Sequence, residues 1–506
     1  MPAFPLRSAL LVIGLSLASV QPAIAQPIVM SDVKHGVSPP LRDLRRGLDE
    51  RAEFEEEMPP NLPPPTPNEP QADPAEQTIQ GKQLPITVGQ GFDGLGDGVY
   101  GFTVHAYPPD ATGAVGATQF VQWINSSYAV FDKNTGDLLA GPTLGNRLWQ
   151  GFGGGCEAHN SGDPVVVYDK LADRWVLSQL VSAAPYLYCI AVSTSNDATD
   201  TFFLYAFSMP TLPDYGKLGV WPDAYYMGFN VSSAGNAACA FDRGAMLQGL
   251  DARQVCFHSS QGFMLPSDLD GLTPPPDGSP NFFMRLGGNN TSLFLNRFHV
   301  DFDNPDQSTF TGPITITVDP FTRMQSRVPQ PDTTVTLDTL STWLMFRLAY
   351  RNFGDHESLV LNHSVQGSDG GGGVRWYEIQ DPNGDPYVYQ QGSFVPDSNF
   401  RWMGSIAMDQ SGNIALGYSL SSTQVYPSVA ITGRQPGDDL GTMGAEIVLV
   451  DGTGSQTNVN RWGDYSTMSV DPVDDCTFWY TAEYHKTTGR PWSTLIAAFK
   501  FDTCGQ

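Results

Sequence analysis

The sequence is poor in basic residues. Its 27 lysines and arginines stand against 53 aspartates and glutamates, which gives a formal net charge of −26. Proteins that bind nucleic acids neutralise phosphates with lysine and arginine, so this composition argues against a nucleic-acid partner. An acidic surface keeps a protein dispersed in water and also suits the binding of cations, and we take the solvating role as the starting interpretation.

Several motifs that carry catalytic chemistry are missing as well. No Walker A loop, GxGxxG dinucleotide turn, HExxH zinc motif or GxSxG nucleophile elbow occurs in a suitable context. No two cysteines have CxxC spacing, which argues against a zinc ribbon or a thioredoxin-type site. These absences argue against nucleotide chemistry, zincin proteolysis and α/β-hydrolase chemistry.

Long apolar runs are absent after the N-terminus, so we expect no integral membrane segment. Residues 1–25 combine the cation Arg7, a short apolar run and the small-residue sequence Ala23-Ile24-Ala25. This is the pattern of a secretory signal peptide that is cleaved before Gln26. We therefore predict a secreted or periplasmic protein, which we expect to be a monomer.

The cysteines are few, and all of them follow the predicted signal peptide. They fit an oxidising compartment and up to three disulfides. Six cysteines allow 15 pairings, of which pairing in sequence order is the simplest hypothesis. The six are Cys156, Cys189, Cys239, Cys256, Cys476 and Cys504.

Residues 26–83 are poor in aromatic residues and rich in proline and acidic residues. Such a segment buries too little apolar surface to offset the entropy lost on ordering. We therefore predict a disordered, extended linker, with the Pro-rich part as a spacer. The charged stretch 41–57 could form a helix, so a small propeptide is the alternative.

From residue 84 to 506, helical periodicity is nearly absent. Short runs rich in Val, Ile, Tyr, Phe and Trp recur between Gly, Pro, Asn and Asp clusters, which predicts an all-β fold. A domain of this size exceeds one β-sandwich, and radial repetition protects the sheet edges. Hairpin units that begin near residues 108, 162, 221, 280, 343, 402 and 462 predict a β-propeller of seven blades, with six or eight as alternatives.

Four segments, 162–175, 346–357, 412–419 and 461–479, resemble an uncharacterised family of exported bacterial proteins. The likeness runs over nearly all of the chain after the linker and implies a β-propeller. More distantly, the repeats of Asp, turn and aromatic residue are similar to the Asp boxes of sialidase-like propellers. Gly412 follows Asp409 by three residues where an Asp box expects two, so the resemblance favours the fold more than sialidase activity.

Aspartates stand where the innermost strands of several units should begin, and they should form a ring of oxygens at the mouth of the central channel. Such a ring suits Ca²⁺ or acid/base catalysis, whereas the alternative is that each Asp caps the entry of its own strand. Asp163 and Asp464 are candidate catalytic residues. Asp110 and Asp223 are candidate ligand-binding residues.

Arginines recur at or near the starts of these strands. Arg347, Arg401 and Arg461, if aimed at one mouth, could clamp a carboxylate of the ligand bidentately. The alternative is cation–π packing against tryptophans between blades. We take the three as candidate ligand-binding residues.

Other clusters carry titratable groups. Glu157 and His159 lie in a glycine-rich loop that leads to Asp163, where His159 could act as acid or base and Glu157 could bind a ligand; a polar surface loop is the alternative. His356 and Glu357 are adjacent, so on a strand they would face opposite ways. Alternating oxygens that could hold Ca²⁺, or simply cap a turn, occur at Asp301, Asp303 and Asp306.

The leading functional hypothesis is a secreted glycan-directed propeller. It would be a hydrolase or a polysaccharide lyase that acts on acidic polysaccharide at the channel mouth. The alternative is a non-catalytic extracellular propeller that binds carbohydrate or protein, and a third hypothesis is a scaffold stabilised by Ca²⁺. The fold does not decide between these hypotheses.

Overall fold

The structure is a computed structural model, and it describes residues 26–44, 55–56, 71–104, 106–231, 236–259, 262–325 and 327–505. The predicted signal peptide, residues 1–25, and the Pro-rich centre of the predicted linker lie outside the described residues. Among the described residues, the helices are α1 (Gly155–Ala158), α2 (Arg243–Met246) and the short 3-10 turns Leu41–Asp43, Val99–Gly101, Gly145–Trp149 and Pro305–Gln307.

Strands make up the rest of the regular structure. The N-terminal strands are β1 (Ile28–Ser31), β2 (Lys34–Val37), β3 (Glu55–Glu56), β4 (Glu76–Gln77), β5 (Ile86–Asp93) and β6 (Ala106–Tyr107). They are followed by β7 (Thr112–Val115), β8 (Gln119–Ile124), β9 (Ser127–Asp132), β10 (Leu138–Leu144), β11 (Val165–Asp169), β12 (Arg174–Val181), β13 (Leu187–Ser193), β14 (Phe202–Ser208), β15 (Asp214–Val220), β16 (Tyr225–Asn230), β17 (Asn236–Phe241) and β18 (Arg253–Ser259).

The strands of the C-terminal half continue this numbering. They are β19 (Leu265–Leu269), β20 (Asn281–Leu286), β21 (Ser292–His299), β22 (Thr309–Thr317), β23 (Met345–Asn352), β24 (Glu357–Gln366), β25 (Gly372–Gln380), β26 (Tyr387–Phe394), β27 (Phe400–Met408), β28 (Ile414–Ser421), β29 (Ser428–Arg434), β30 (Ile447–Val450), β31 (Thr467–Val470), β32 (Thr477–Tyr484) and β33 (Ser493–Phe501).

The β11–β12 hairpin shows why the sequence folds in this way. The run Val165–Asp169 is rich in β-branched residues, which favour the extended backbone of a strand. The Asp169 carboxylate accepts a hydrogen bond from the Ala172 amide (3.1 Å). Asp173 has a left-handed backbone (φ 58°), which Asp tolerates better than most residues, and the chain turns back into β12.

The sheets are arranged as a propeller, and four of them are separate blades of four or five strands. Their strand orders are β10-β9-β8-β7, β11-β12-β13-β14-β2, β1-β18-β17-β16-β15 and β31-β32-β33-β5. The prediction of an all-β propeller is confirmed, but there are four separate blades and not the predicted seven. The apolar core lies between the sheets, where tryptophans such as Trp123, Trp175 and Trp221 are fully buried.

The number of separate blades is smaller than predicted because, in part of the chain, backbone hydrogen bonding continues from one hairpin unit into the next. One sheet of 13 strands contains β4 and β19 to β30. It consists of three antiparallel meanders, β19 to β22, β23 to β26 and β27 to β30. Parallel pairing joins β19 to β23, and the pair Gly372 and Phe400 joins β25 to β27.

The first strands of the units, which we call the inner strands, surround the axis. Contacts run in order from β7 through β11, β15, β19, β23 and β27 to β31, and β31 contacts β7 again. The ring is closed by β5, because this early strand pairs with the late strand β33 from Ile86↔Phe501 to Asp93↔Leu495. Ring closure therefore ties the beginning of the predicted propeller domain to its end.

Parts of the predicted linker belong to the sheets. Strand β1 pairs with β18, and β2 pairs with β14, so each adds a fifth strand to a blade edge. Leu41 and Leu44 are buried, and Asp73 binds Arg375 at 2.6 Å. Because exposed sheet edges offer unpaired backbone groups, they can order a segment that buries little apolar surface itself. The expected disorder is wrong for residues 28–37; the domain boundaries stay predictions.

The three disulfides follow the sequence order. Cys156–Cys189 joins α1 to β13, Cys239–Cys256 links opposite residues of β17 and β18, and Cys476–Cys504 fixes the C-terminus. The simplest pairing hypothesis is therefore confirmed. Disulfides are typical of proteins outside the cytoplasm, and the secreted or periplasmic location stays a prediction.

In the described part of the chain, no helix is both long and apolar enough to cross a membrane.

Candidate functional site

Charged side chains converge where the inner strands begin, at one end of the axis. All of them are buried or half-buried. We call this group the mouth cluster. It contains six carboxyl groups, those of Asp110, Asp163, Asp214, Asp338, Asp464 and Glu483, and two cations, Lys217 and Arg461.

Asp110 and Asp163 stand just before β7 and β11, and both have a left-handed backbone (φ 45° and 47°). The Asp110 carboxylate accepts a hydrogen bond from the Asp464 amide (2.7 Å), and the Asp163 carboxylate accepts one from the Tyr215 amide (3.1 Å). Each carboxylate thus binds the backbone of another unit. The capping alternative expected each Asp to cap the entry of its own strand, whereas these two carboxylates bind the backbone of a neighbouring unit.

Arg461 lies between two carboxylates of the mouth cluster. Its guanidinium donates to Asp338 (2.8 Å) and lies 3.0 Å from Asp464. Burial by itself lowers the pKa of Arg461, but the Asp464 and Asp338 carboxylates raise it overall. Arg461 is therefore a fixed cation that is already neutralised by the protein.

Lys217 is fully buried in an aromatic cage. Its Nζ lies 3.5 Å from the ring centroid of Tyr215 and 3.9 Å from that of Tyr465. Burial lowers the pKa of Lys217, although Asp163, Asp110 and nearby carboxylates act in the opposite direction. The amine offsets part of the negative charge at the axis, and its cation–π contacts hold it there.

Four carboxyl groups of the mouth cluster have raised pKa values. Burial and the neighbouring Asp338 carboxylate raise the pKa of Asp464 to about 7. Burial raises the pKa of Asp338 and of Asp214 to about 6, and it raises the pKa of Glu483 well above its ordinary value. Protonation of these groups relieves the excess of carboxyl groups over cations.

Asp223 does not join the mouth cluster. It lies in the turn between β15 and β16, at the opposite end of β15 from Asp214, and accepts a hydrogen bond from the Tyr226 hydroxyl (3.2 Å). The unit was predicted to begin near residue 221, one strand too late, because Asp214 occupies the position at the start of the inner strand.

The three candidate arginines are held in separate ion pairs and do not converge. Arg347 binds Asp268 (2.6 Å) and Asp270 (2.9 Å), whereas Arg401 binds Asp397 and Glu446. Arg461 belongs to the mouth cluster. The predicted tryptophan packing is also different, because the Arg401 guanidinium lies over Phe394 (5.7 Å) while Trp402 and Trp462 contact each other (5.5 Å).

The glycine-rich loop places Glu157 and His159 at the surface. Glu157 lies in α1 and accepts hydrogen bonds from the amides of Gly151 (3.0 Å) and Gly153 (2.5 Å), which hold its pKa below the usual range. His159 follows α1 and is exposed. The side chain of Glu157 thus closes its own loop, as the alternative interpretation expected.

The calcium candidates are turn residues. The Asp301 carboxylate accepts a hydrogen bond from the Asn304 amide (2.7 Å), and Asp303 and Asp306 are exposed. Within the described ranges, the one close group of three metal-type side chains is Asp32, His35 and Asp251, on and beside the N-terminal strands. Calcium binding stays a prediction.

A surface groove lies at the end of the inner strands opposite the mouth cluster. It consists of two cavities of about 350 and 370 Å³ that share His356 and Gln380, and we call it the outer groove. Turns of successive units form it. Its first half is lined by Pro276, Asn352, Gly354, Asp355, Glu357, Asp381 and Tyr387, and its second half by Phe353, Glu378, Tyr389, Gln390, Met408, Ser411, Gly412, Arg434 and Pro436.

The outer groove combines aromatic and polar groups. Tyr387 and Tyr389 are 49% and 42% exposed and lie two residues apart on β26, where the register with β25 shifts; Tyr387 lines the first cavity and Tyr389 the second. His356 stacks on Phe353 (centroids 4.7 Å apart) and contacts the Asp355 carboxylate (2.7 Å). Such a surface can stack on the apolar face of a ligand and bind its hydroxyl groups.

Sequence reasoning missed the outer groove. His356 lies in the turn after β23, and Glu357 begins β24. Both residues line the first cavity; the prediction that they face opposite ways applied to two residues on a strand, whereas His356 lies in the turn. The titratable sequence Asp355-His356-Glu357 was the available signal.

Comparisons with known proteins give only distant structural likenesses. No family model and no curated protein matches the sequence, so the resemblance to an exported bacterial family stays a prediction. The N-terminal domain of Nup159 covers 89% of this chain and 100% of its own at 9% identity and a TM-score of 0.38. An endo-arabinase from Bacteroides thetaiotaomicron covers 66% and 92% at 11% identity and a TM-score of 0.28. A Hadza microbial sialidase covers 77% and 74% at 10% identity and a TM-score of 0.25. Such low values carry no argument about function.

Proposed function

We propose that the chain is an exported glycan-directed propeller that binds carbohydrate in the outer groove. The observation that carries this proposal is the pair of exposed tyrosines, Tyr387 and Tyr389, beside a cleft lined by amides, carboxylates and His356. Ligand sites combine apolar or aromatic walls with a few polar groups that fix orientation. Tyrosine suits a sugar because it offers an apolar ring and a polar hydroxyl.

The outer groove suits this role better than the mouth cluster. The side chains of Lys217 and Asp464 are buried, and the carboxylates of Asp110 and Asp163 already accept hydrogen bonds from the backbone. Because these groups are buried, a polysaccharide could not touch them without displacing the residues that cover them. The outer groove is open, and its two halves lie side by side on either side of His356 and Gln380.

Binding to a glycan array, followed by titration calorimetry with the best ligand, tests the proposal. Tyr387→Ala and Tyr389→Ala should each weaken binding about fivefold, because an aromatic contact contributes about 1 kcal/mol. Tyr100→Ala is the matched control, since Tyr100 is 47% exposed and lies outside the outer groove. Unchanged affinity in both groove variants would show that carbohydrate binds elsewhere.

The second candidate is a hydrolase or lyase that acts on acidic polysaccharide at the channel mouth. The observation in its favour is the pKa of Asp464, about 7, because groups poised near neutrality are common in catalytic sites. Release of reducing ends and absorbance from unsaturated uronates would separate hydrolase from lyase. Turnover that is lost in folded Asp464→Asn and Asp163→Asn variants would support this candidate. If the protein turns over no substrate on a broad panel of polysaccharides, the non-catalytic binding protein is the remaining hypothesis.

The three meanders of the 13-stranded sheet serve, in this proposal, as further blades of one ring. Its support is the unbroken order of contacts among the inner strands, which returns from β31 to β7. An experimental density map of the purified protein counts the units. A gap in the ring between β19 and β27 would contradict this part of the proposal.

A further inference from the structure

We propose that the carbohydrate in the outer groove is an amino-sugar oligosaccharide whose free, protonated amine binds the half lined by Asp355, Glu357 and Asp381. This inference rests on the proposed function and names its ligand class. It differs from the acidic polysaccharide predicted from the sequence.

The first half of the outer groove is acidic. Three carboxylates line it, and its lining contains neither lysine nor arginine. The Asp355 side chain is 85% exposed, and its hydrogen bond with His356 lowers the pKa of this carboxyl. Asp355 is therefore ionised at neutral pH, where a carboxylate is attracted to an ammonium group and repels a uronate.

The other two carboxylates are held in place. Asp381 accepts hydrogen bonds from the amides of Gly384 (3.2 Å) and Asp385 (2.9 Å). Glu357 accepts bonds from the side chain of Asn383 (2.8 and 3.0 Å) and from the Tyr350 hydroxyl (2.5 Å). A carboxylate has about four acceptor positions, so about two remain on Asp381 and about one on Glu357 for further N–H donors. Carboxylates that are fixed before binding lose little conformational freedom when an amine arrives.

The second half of the outer groove has a different character. Tyr389 and Phe353 provide aromatic surface, and the charged lining residues are Glu378 and Arg434, so this half lacks the excess of carboxylates found in the first half. The Arg434 guanidinium donates to the Asp438 carbonyl (2.8 Å), which fixes its position. An amine is therefore favoured at one end and sugar oxygens at the other, so the ligand binds in one orientation.

Titration calorimetry on the whole protein tests the inference with three probes: a fully deacetylated glucosamine oligomer, its N-acetylated form and a uronate oligomer of equal length. An exposed ion pair contributes about 0.2–1 kcal/mol, which predicts that the deacetylated oligomer binds about 1.4- to 5-fold more tightly than the acetylated one. The preference should shrink in high salt, because exposed charges are screened. The uronate should bind most weakly.

Variants locate the amine. Asp355→Asn and Asp381→Asn keep the side-chain size and should lower the affinity for the deacetylated oligomer far more than for the acetylated one. Asp303→Asn, an exposed turn residue that does not line the outer groove, is the control. If the acetylated or uronate oligomer binds as tightly as the amine, the inference is wrong while the proposed function stands. If no probe binds and Tyr387→Ala changes nothing, both are wrong.

Discussion

Replacement of Lys217 by methionine tests whether the mouth cluster stabilises the folded protein. The substitution keeps much of the aliphatic side chain and removes the amine. Lys217 is fully buried, and the carboxylates of Asp163, Asp110 and Asp464 act on its pKa. Those groups would lose a cation that water cannot replace.

The expected cost follows from general values for buried ion pairs. Removal of one partner of such a pair costs about 3–5 kcal/mol, which is an upper value for Lys217 because its amine contacts two tyrosine rings and acts on the carboxylates through space. A propeller domain of roughly 420 residues unfolds with an entropy of about 0.9 kcal/mol/K, at about 2.1 cal/mol/K per residue. We therefore expect the Tm of Lys217→Met to fall by about 3–6 °C at pH 8.

The pH dependence separates the charge from the shape of the side chain. Because burial raises the pKa of Asp464 to about 7 and that of Asp214 to about 6, these groups are protonated in the folded protein at pH 5. The loss of the amine then leaves less uncompensated charge, so the drop in Tm should be smaller at pH 5.

Differential scanning calorimetry at pH 5 and pH 8 provides the measurement. Lys500→Met, at a half-exposed surface pair with Asp474, is the control and should change the Tm by less than about 1 °C. An unchanged Tm in Lys217→Met at pH 8, or an equal drop at both pH values, would refute the structural role of the amine.

Three further predictions concern stability. The wild-type protein should lose stability as the pH rises from 5 to 8, because a carboxyl such as Asp464, whose folded pKa lies above its unfolded value, stabilises the fold only while protonated; a Tm that rises over this range is the contrary result. The double variant Cys156→Ser and Cys189→Ser should lose about 3–4 kcal/mol, the closure entropy of a 33-residue loop, in denaturant titrations, and an equal midpoint would contradict it. Asp73→Asn should destabilise the protein by about 3 kcal/mol, because Arg375 is then left buried without a carboxylate; a loss below about 1 kcal/mol would show that Asp73 does not anchor the N-terminal segment.

Much of the fold was predictable because it depends on local patterns. Short β-branched and aromatic runs between turn residues such as Asp173 predicted the hairpins, and the repeat of hairpins predicted a propeller. The separate blade count was not predictable, since the parallel pairing through Gly372 and Phe400 depends on how closely neighbouring units approach. Strands β1 and β2 were missed because their stability comes from the blade edges that they join, and not from their own composition.

The candidate site was predicted in part. Asp110, Asp163 and Asp464 do gather at the start of the inner strands, as their place before each strand implied. Asp223 was misplaced because a recurring Asp does not show at which end of a strand it lies. Lys217 carries no motif, and its importance comes from complete burial among carboxyl groups that are distant in the sequence.

The outer groove could not be found from the sequence because turns of separate units build it. Tyr387 and Tyr389 are ordinary strand residues in the sequence, and only their exposure beside the turn that carries His356 makes them candidates for a binding surface. For the arginines, the sequence predicted a shared site that the structure does not form. Their recurrence predicted a shared site, whereas Arg347 and Arg401 each satisfy local carboxylates.

The most direct test of the account is a crystal structure of the protein with a bound glucosamine oligomer. The account predicts electron density in the outer groove, with a sugar ring against Tyr387 or Tyr389 and an amine beside Asp355 or Asp381. Density beside Asp464 at the channel mouth, with the outer groove empty, would contradict it.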